Sequence, residues 1–156
     1  MDRVLTLSEK LVIAAPAADV YDLVGDPRRM AAFSPECFSV WGRGQRVGDR
    51  FTGWNRRAAF VWFTNCRVVA ATPGREYAFD VSTFGLPVAR WGYRLAAVPG
   101  GTEVTEFWED QRREDWRGRL VATLGLLFSG TPAPDRAERN RAGMRATLRN
   151  LAHALA

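Results

Sequence analysis

The last segment of the chain, residues 134–156, has the hydrophobic spacing of an amphipathic helix. Met144, Leu148, Leu151 and Leu155 recur at steps of four, three and four residues, so they share one helical face. Arginines occupy most of the other faces. A helix of about 20 residues is roughly 30 Å long, and its apolar stripe needs an apolar surface to cover it. The sequence therefore predicts a long C-terminal helix packed on another layer.

The preceding residues alternate with a period of two between turn signals, which is typical of antiparallel strands. A first strand is predicted at Val4–Ile13, followed by two short helices, one around Val20 and one over Pro27–Phe33. Short Gly- and Pro-containing turns then separate six further strands, predicted around Phe38–Trp41 and at Arg50–Arg57, Phe60–Ala71, Arg75–Thr83, Val88–Val98 and Thr102–Arg112. The predicted fold class is α+β: a seven-stranded antiparallel sheet curved around the C-terminal helix, with two short helices between strands 1 and 2.

Residues 115–130 are predicted to form a further helix because Leu120, Leu124 and Leu127 share a face. Two interpretations stay open for it: a flap over the mouth of a cavity, or ordinary core packing.

Strand alternation places a set of aromatic side chains on the face of the sheet that meets the helix. The six are Trp62, Tyr77, Phe79, Trp91, Tyr93 and Trp108. Four slim helix anchors do not fill a bowl of such wide rings, so a residual apolar cavity of the kind that binds small molecules is expected. The alternative is that the rings simply fill the core.

Glu106 is the main candidate for chemistry because it lies in phase with Val104 and Trp108, on the inner face. Burying a carboxylate without a partner is costly, and desolvation raises its pKa towards the range useful for proton transfer. Two alternatives remain: a salt bridge to Arg57 or another arginine, or a one-residue change of register that turns Glu106 to solvent.

Two further polar residues are candidates for catalysis, Tyr93 as a hydrogen-bond donor to a developing enolate and Asn55 as a donor and acceptor. The candidates for ligand contact are the remaining residues of the inner face and two of the helix: Trp62, Thr64, Cys66, Tyr77, Phe79, Trp91, Trp108, Asn140 and Met144. Cys66 has no base in view and is not predicted to be a nucleophile.

Composition narrows the class of protein. The 156 residues are enough for one domain, 1–156, and too few for two ordinary ones. The net charge of +5 comes from scattered arginines without a nucleic-acid-binding motif, so no nucleic-acid partner is expected. Two cysteines without metal spacing, no secretory signal and no membrane span favour a cytoplasmic protein. The run Leu120–Phe128 is too short to cross a bilayer.

Several segments together resemble the START-like, or SRPBCC, superfamily with its helix-grip fold, and more narrowly its bacterial polyketide cyclase/dehydrase branch. These segments are 14–21 with Asp26-Pro27, Asn55-Arg56-Arg57, Pro73-Gly74-Arg75 with Phe79, 101–109, and Gly143-Met144 with Thr147-Leu148. Tyr21 stands where the superfamily usually has Trp.

The resemblance implies a hydrophobic, polyketide-like small molecule as ligand or substrate, no metal, no organic cofactor and cofactor-independent proton transfer of the lyase type. It leaves a homodimer open. The leading hypothesis is a cyclase/dehydratase-like protein of secondary metabolism in which Glu106 moves the proton, while Tyr93, Asn55 and Asn140 hold oxygen atoms. The alternative is a non-catalytic carrier or sensor that uses the same cavity.

Overall fold

The structure, a computed structural model, is a seven-stranded antiparallel sheet that faces a long C-terminal helix. It describes residues 4–112, 114–120 and 133–156, and of 133–135 the backbone alone. The strand order is β1-β7-β6-β5-β4-β3-β2. The strands are β1 Thr6–Ile13, β2 Cys37–Gly42, β3 Arg50–Arg57, β4 Phe60–Thr72, β5 Glu76–Thr83, β6 Leu86–Val98 and β7 Gly101–Asp110. The predicted fold class is confirmed.

Two short helical segments connect β1 to β2, as predicted. Helix α1, Ala17–Val24, begins after Pro16 and buries Val20 and Val24. The second segment, Pro27–Ala32, is a 3₁₀ helix, and the carboxylate of Asp26 accepts a hydrogen bond from the backbone N–H of Arg28 at 3.1 Å. Pro27 at the first position suits this start because the missing N–H is not needed there.

The C-terminal helix, α2, spans Ala133–Ala154 and lies chiefly against β1. Met144, Leu148 and Leu151 are almost completely buried on its inner face, as the spacing predicts. Glu9 on β1 fixes the same contact, because its carboxylate lies 3.4 Å from Arg141 and 3.2 Å from Arg145. The helix therefore covers the concave face of the sheet mainly at its β1 edge and leaves that face less covered at the other strands.

Some predicted boundaries differ from the structure. Strand β6 begins at Leu86, inside the predicted turn, and β7 ends at Asp110, two residues before the predicted end. Residues 116–120 are helical, but most of the proposed flap, residues 115–130, lies outside the described residues. Within the described ranges, no helix has both the length and the apolar character needed to cross a membrane.

Candidate ligand-binding cavity

A cavity of about 1100 Å³ lies between the concave face of the sheet and the first half of α2. Ligand pockets in proteins are usually clefts of about 300–1,000 Å³, so this space suits a molecule of several rings. Nine aromatic residues line the cavity in the described part of the chain: Phe51, Trp54, Trp62, Phe63, Phe79, Phe84, Trp91, Tyr93 and Trp108. A cavity remains between the sheet and the helix, as expected from the sequence, and the aromatic rings do not fill all of this space.

On the helix side of the cavity, α2 leaves open space at Gly143. Gly143 lines the cavity, and a Cβ built on it would meet no atom closer than the Cγ of Pro35, at 4.0 Å. Met144, which directly follows Gly143, lies on the neighbouring face of the helix and packs into the core with Leu148 and Leu151. The cavity therefore lies beside the face of α2 that carries Gly143, and the apolar stripe lies on the neighbouring face.

Glu106 lies in the cavity wall and is only 4 % exposed. Its Oε2 atom is buried and has no hydrogen-bond partner among the described residues. Burial therefore raises the pKa of this carboxyl well above its ordinary value, while a hydrogen bond with Tyr93 lowers it by less. The salt bridge considered from the sequence is not formed with Arg57, which binds Glu36 at 2.8 Å. Glu106 is thus a carboxyl group that keeps its proton to higher pH than an exposed glutamate does.

Tyr93 is the hydrogen-bond partner of Glu106. It stands directly opposite Glu106 in the β6–β7 register, so both side chains lie on the same face. Burial, and then the charge of Glu106, raise the pKa of the Tyr93 hydroxyl well above its ordinary value. The hydroxyl therefore keeps its proton and donates a hydrogen bond to Glu106.

The other polar candidates lie around the same space. Asn55 donates to the carbonyl of Gly53 at 3.4 Å, and Asn140 enters from α2. The Thr64 hydroxyl donates to the carbonyl of Gly53 at 3.5 Å and accepts from the Cys66 thiol at 3.8 Å. Burial raises the pKa of Cys66 to about 12, so this sulfur is a neutral thiol at physiological pH.

Two residues predicted to contact a ligand do not reach the cavity wall. Tyr77 is fully buried, and its hydroxyl donates to the backbone carbonyl of Gly44 at 2.7 Å. Met144 is 1 % exposed and lies within the core. Alternation and helical spacing assigned both to the correct face, but the core between sheet and helix is already filled at their level.

Five arginines also line the cavity among the described residues: Arg57, Arg112, Arg119, Arg136 and Arg139. Of these, only Arg57 is a candidate from the sequence, as a possible partner of Glu106. Arg112 forms a two-point contact with Asp110, with Nε–Oδ1 at 3.0 Å and Nη2–Oδ2 at 2.8 Å. Arg57 also lies 5.6 Å from the ring centre of Trp62. No spacing signal connects residues so far apart in the chain, and in a sequence rich in arginine they are indistinguishable from solvated ones.

Residues 5–156 match a protein family described as polyketide cyclase / dehydrase and lipid transport. No curated protein matches the chain. Solved structures do. The Polyketide_cyc-like protein Cgl2372 from Corynebacterium glutamicum has 28 % identity and a TM-score of 0.64, with 99 % of this chain and 93 % of that chain covered. Protein CV1439 from Chromobacterium violaceum has 19 % identity and a TM-score of 0.70, with 96 % of each chain covered.

A third similar structure is the di-domain ARO/CYC StfQ from the steffimycin biosynthetic pathway, with 17 % identity and a TM-score of 0.70. The similarity covers 97 % of this chain and 50 % of StfQ. At this level of identity, StfQ and CV1439 show the fold alone, whereas the family match spans nearly the whole sequence. The chain belongs to the polyketide cyclase / dehydrase and lipid transport family.

Proposed function

We propose that this protein binds a hydrophobic, polyketide-like small molecule in the cavity and catalyses its dehydration or cyclisation without a cofactor, in secondary metabolism. The observation that carries the proposal is Glu106, a carboxyl in the wall of an aromatic cavity with one oxygen lacking a partner among the described residues. Such a group is costly to bury. A role in proton transfer would explain why the carboxyl is buried despite this cost, because catalytic groups commonly have perturbed pKa values.

The chemistry follows from the protonated state of this carboxyl. For a β-hydroxy ketone, one oxygen of Glu106 gives its proton to the departing hydroxyl group, which leaves as water. The other oxygen takes the proton from the carbon between the hydroxyl-bearing carbon and the carbonyl, and a C=C bond forms there. Glu106 ends protonated as it began, so no oxidant or reductant is needed.

The remaining site residues hold the substrate in this account. Tyr93 donates a hydrogen bond to Glu106 before the reaction. It transfers that hydrogen bond to the enolate oxygen that develops when the proton leaves the carbon. The amides of Asn55 and Asn140 lie elsewhere on the cavity wall and bind further carbonyl or hydroxyl oxygens. The rings of Trp62, Phe79, Trp91 and Trp108 exclude water and fold the ligand.

The rival function is a non-catalytic carrier or sensor that uses the same cavity. It is favoured by the hydrogen bond between Tyr93 and Glu106, because a buried pair of this kind also occurs as a structural contact. The two functions share their prediction for binding and differ only in turnover.

A small β-hydroxy ketone separates the two functions. The aldol adduct of benzaldehyde and acetone loses water to give benzylideneacetone, a conjugated enone that is followed by its ultraviolet absorbance. We expect the wild-type protein to accelerate this loss, and Glu106→Gln to lower the rate by about 10²-fold or more with unchanged affinity for the adduct. Exposed Glu138 on α2 supplies the matched control, Glu138→Gln. Binding without acceleration by the wild-type protein would assign it to the carriers.

A further inference from the structure

Three of the five arginines at the wall of the cavity come from elements that are distant in sequence but meet in space. Arg57 is the last residue of β3, Arg112 follows the end of β7, and Arg136 lies in the first turn of α2. All three line the cavity. Their guanidinium groups are close enough that Arg112 and Arg57 lower the pKa of Arg136, after the larger effect of burial.

We propose that this arginine cluster, Arg57, Arg112 and Arg136, binds the anionic head group of the cavity's ligand. The inference rests on the proposed function, because it assigns a ligand class to the same cavity. The ligand is then an amphipathic anion, with an apolar body against the aromatic wall and a carboxylate, sulfonate or phosphate at the cluster.

Charges around the cluster support this assignment. Arg57 binds Glu36 and Arg112 binds Asp110, both at 2.8 Å, and these contacts hold the two guanidinium groups at the cavity wall. Five arginines line the cavity in the described residues, at positions 57, 112, 119, 136 and 139, against four acidic residues, Glu36, Glu106, Glu114 and Asp115. Asp110 brings the acidic residues to five, but Glu106 lies apart from the cluster and burial favours its neutral form.

Because the cluster is partly buried, electrostatic repulsion among its guanidinium groups favours binding of an anion. The side chain of Arg112 is 14 % exposed and its partner Asp110 is completely buried. Like charges held together away from water repel one another more strongly than on an open surface. A bound anion relieves that repulsion and accepts charge-assisted hydrogen bonds from the planar guanidinium groups.

The position of the cluster also orients the ligand. Asp110, which holds Arg112, is four residues beyond Glu106 on β7, a distance of about 13 Å along an extended strand. An anionic head at the cluster therefore places the part of the ligand about 13 Å away beside Glu106. Trp108 lies between the two positions on the same face.

The test uses two dyes that share one apolar body and differ in charge. Anilinonaphthalenesulfonate carries a sulfonate, whereas N-phenylnaphthylamine lacks it, and both fluoresce when bound in apolar surroundings. We expect wild-type protein to bind the sulfonate more tightly than the neutral dye. Replacing one charged hydrogen-bond donor should lower the affinity for the sulfonate about tenfold, so Arg136→Gln should do this and leave the affinity for the neutral dye unchanged. Arg112→Gln provides a second variant of the cluster.

Arg149→Gln is the matched control, because Arg149 is exposed on the same helix away from the cavity. Equal losses of sulfonate affinity in Arg136→Gln and Arg149→Gln would overturn the inference, since they would reflect net charge alone. Equal affinity of wild-type protein for the two dyes would also overturn it while leaving the cavity function intact. Binding of neither dye would refute the cavity function itself, and the inference with it.

Discussion

Tyr93 and Glu106 face each other across the β6–β7 pairing, and both are buried on the concave face of the sheet. On one side of the pair, β5 places Tyr77 opposite Tyr93, and on the other side β1 places Glu9 opposite Glu106. One level of the sheet is therefore a polar row of four residues. Its outer members have structural partners, Gly44 for Tyr77 and two arginines of α2 for Glu9. Its two inner members line the cavity.

The raised pKa of Glu106 predicts a specific pH dependence of stability. Folding shifts this pKa upwards from about 4.3 in the unfolded chain, so the native state keeps the proton to higher pH. The stabilisation linked to that proton is complete below the unfolded pKa and is lost as pH rises towards the folded pKa. The free energy of unfolding of the wild-type protein should therefore fall relative to that of Glu106→Gln as pH increases above about 4.3.

Urea unfolding of the two proteins across a pH series measures this difference, which amounts to about 1.4 kcal/mol for each unit of pKa shift. Glu138→Gln, at an exposed site, serves as the control. Its free energy of unfolding should change with pH in parallel with that of the wild-type protein. Parallel curves for Glu106→Gln as well would mean that Glu106 titrates normally in the folded protein.

The two tyrosines of the polar row should respond differently to loss of the hydroxyl. Tyr77→Phe removes the 2.7 Å hydrogen bond to Gly44 and should cost about 1–3 kcal/mol of stability, because a buried carbonyl loses its partner. Dehydration of the β-hydroxy ketone should be unaffected. Tyr93→Phe should instead lower the dehydration rate, by about 10²-fold if the hydroxyl stabilises the enolate. Equal effects of the two changes on rate would remove the distinction between the inner and outer members of the row.

Gly92 is predicted to be intolerant of any side chain. A Cβ at this position would collide with the ring of Phe107 and lie 2.8 Å from the Cβ of Ala78. Gly92→Ala should therefore destabilise the protein by about 1–3 kcal/mol, as overpacking generally does. In contrast, Gly143→Ala in α2 meets open space and should stabilise it by about 1 kcal/mol. Thermal unfolding measures both, and a neutral Gly92→Ala would show that the outer face of the sheet is loosely packed.

Cys66 is expected to resist alkylation in the folded protein. With its pKa raised to about 12, the thiolate fraction at pH 8 is about 10³-fold smaller than in an unfolded chain. Iodoacetamide should therefore modify Cys66 only as fast as the protein opens, which peptide mass spectrometry can follow over time. Modification at the rate of a free thiol would place the sulfur in a different environment.

The elements of this fold were predictable because each carries its own periodicity. Met144, Leu148 and Leu151 are buried as their spacing requires, and the alternation of β7 correctly put Glu106 on the inner face. Position across the sheet was not predictable, since Tyr77 on β5 and Tyr93 on β6 lie directly opposite and share a face, but only Tyr93 reaches the cavity.

Contacts between distant segments were the other gap. Phe107 is on the outer face, as alternation indicates, yet it is 4 % exposed because Arg94 lies 3.9 Å over its ring and Gly92 leaves room for it. Likewise, Arg57, Arg112 and Arg136 line the cavity together only because three elements end there. No local pattern encodes either arrangement, since each depends on how separate segments pack.

The central claim, that the cavity is the ligand site, is tested most directly by filling it. Gly143→Phe places a ring in the open space beside Pro35 and keeps the helix, so stability should be retained. Titration with N-phenylnaphthylamine should show one bound dye per wild-type chain and clearly weaker binding to Gly143→Phe, because the ring takes up part of the cavity, with similar melting temperatures for both proteins. Equal binding of the dye by the two proteins, or no binding by the wild-type protein, would contradict the account.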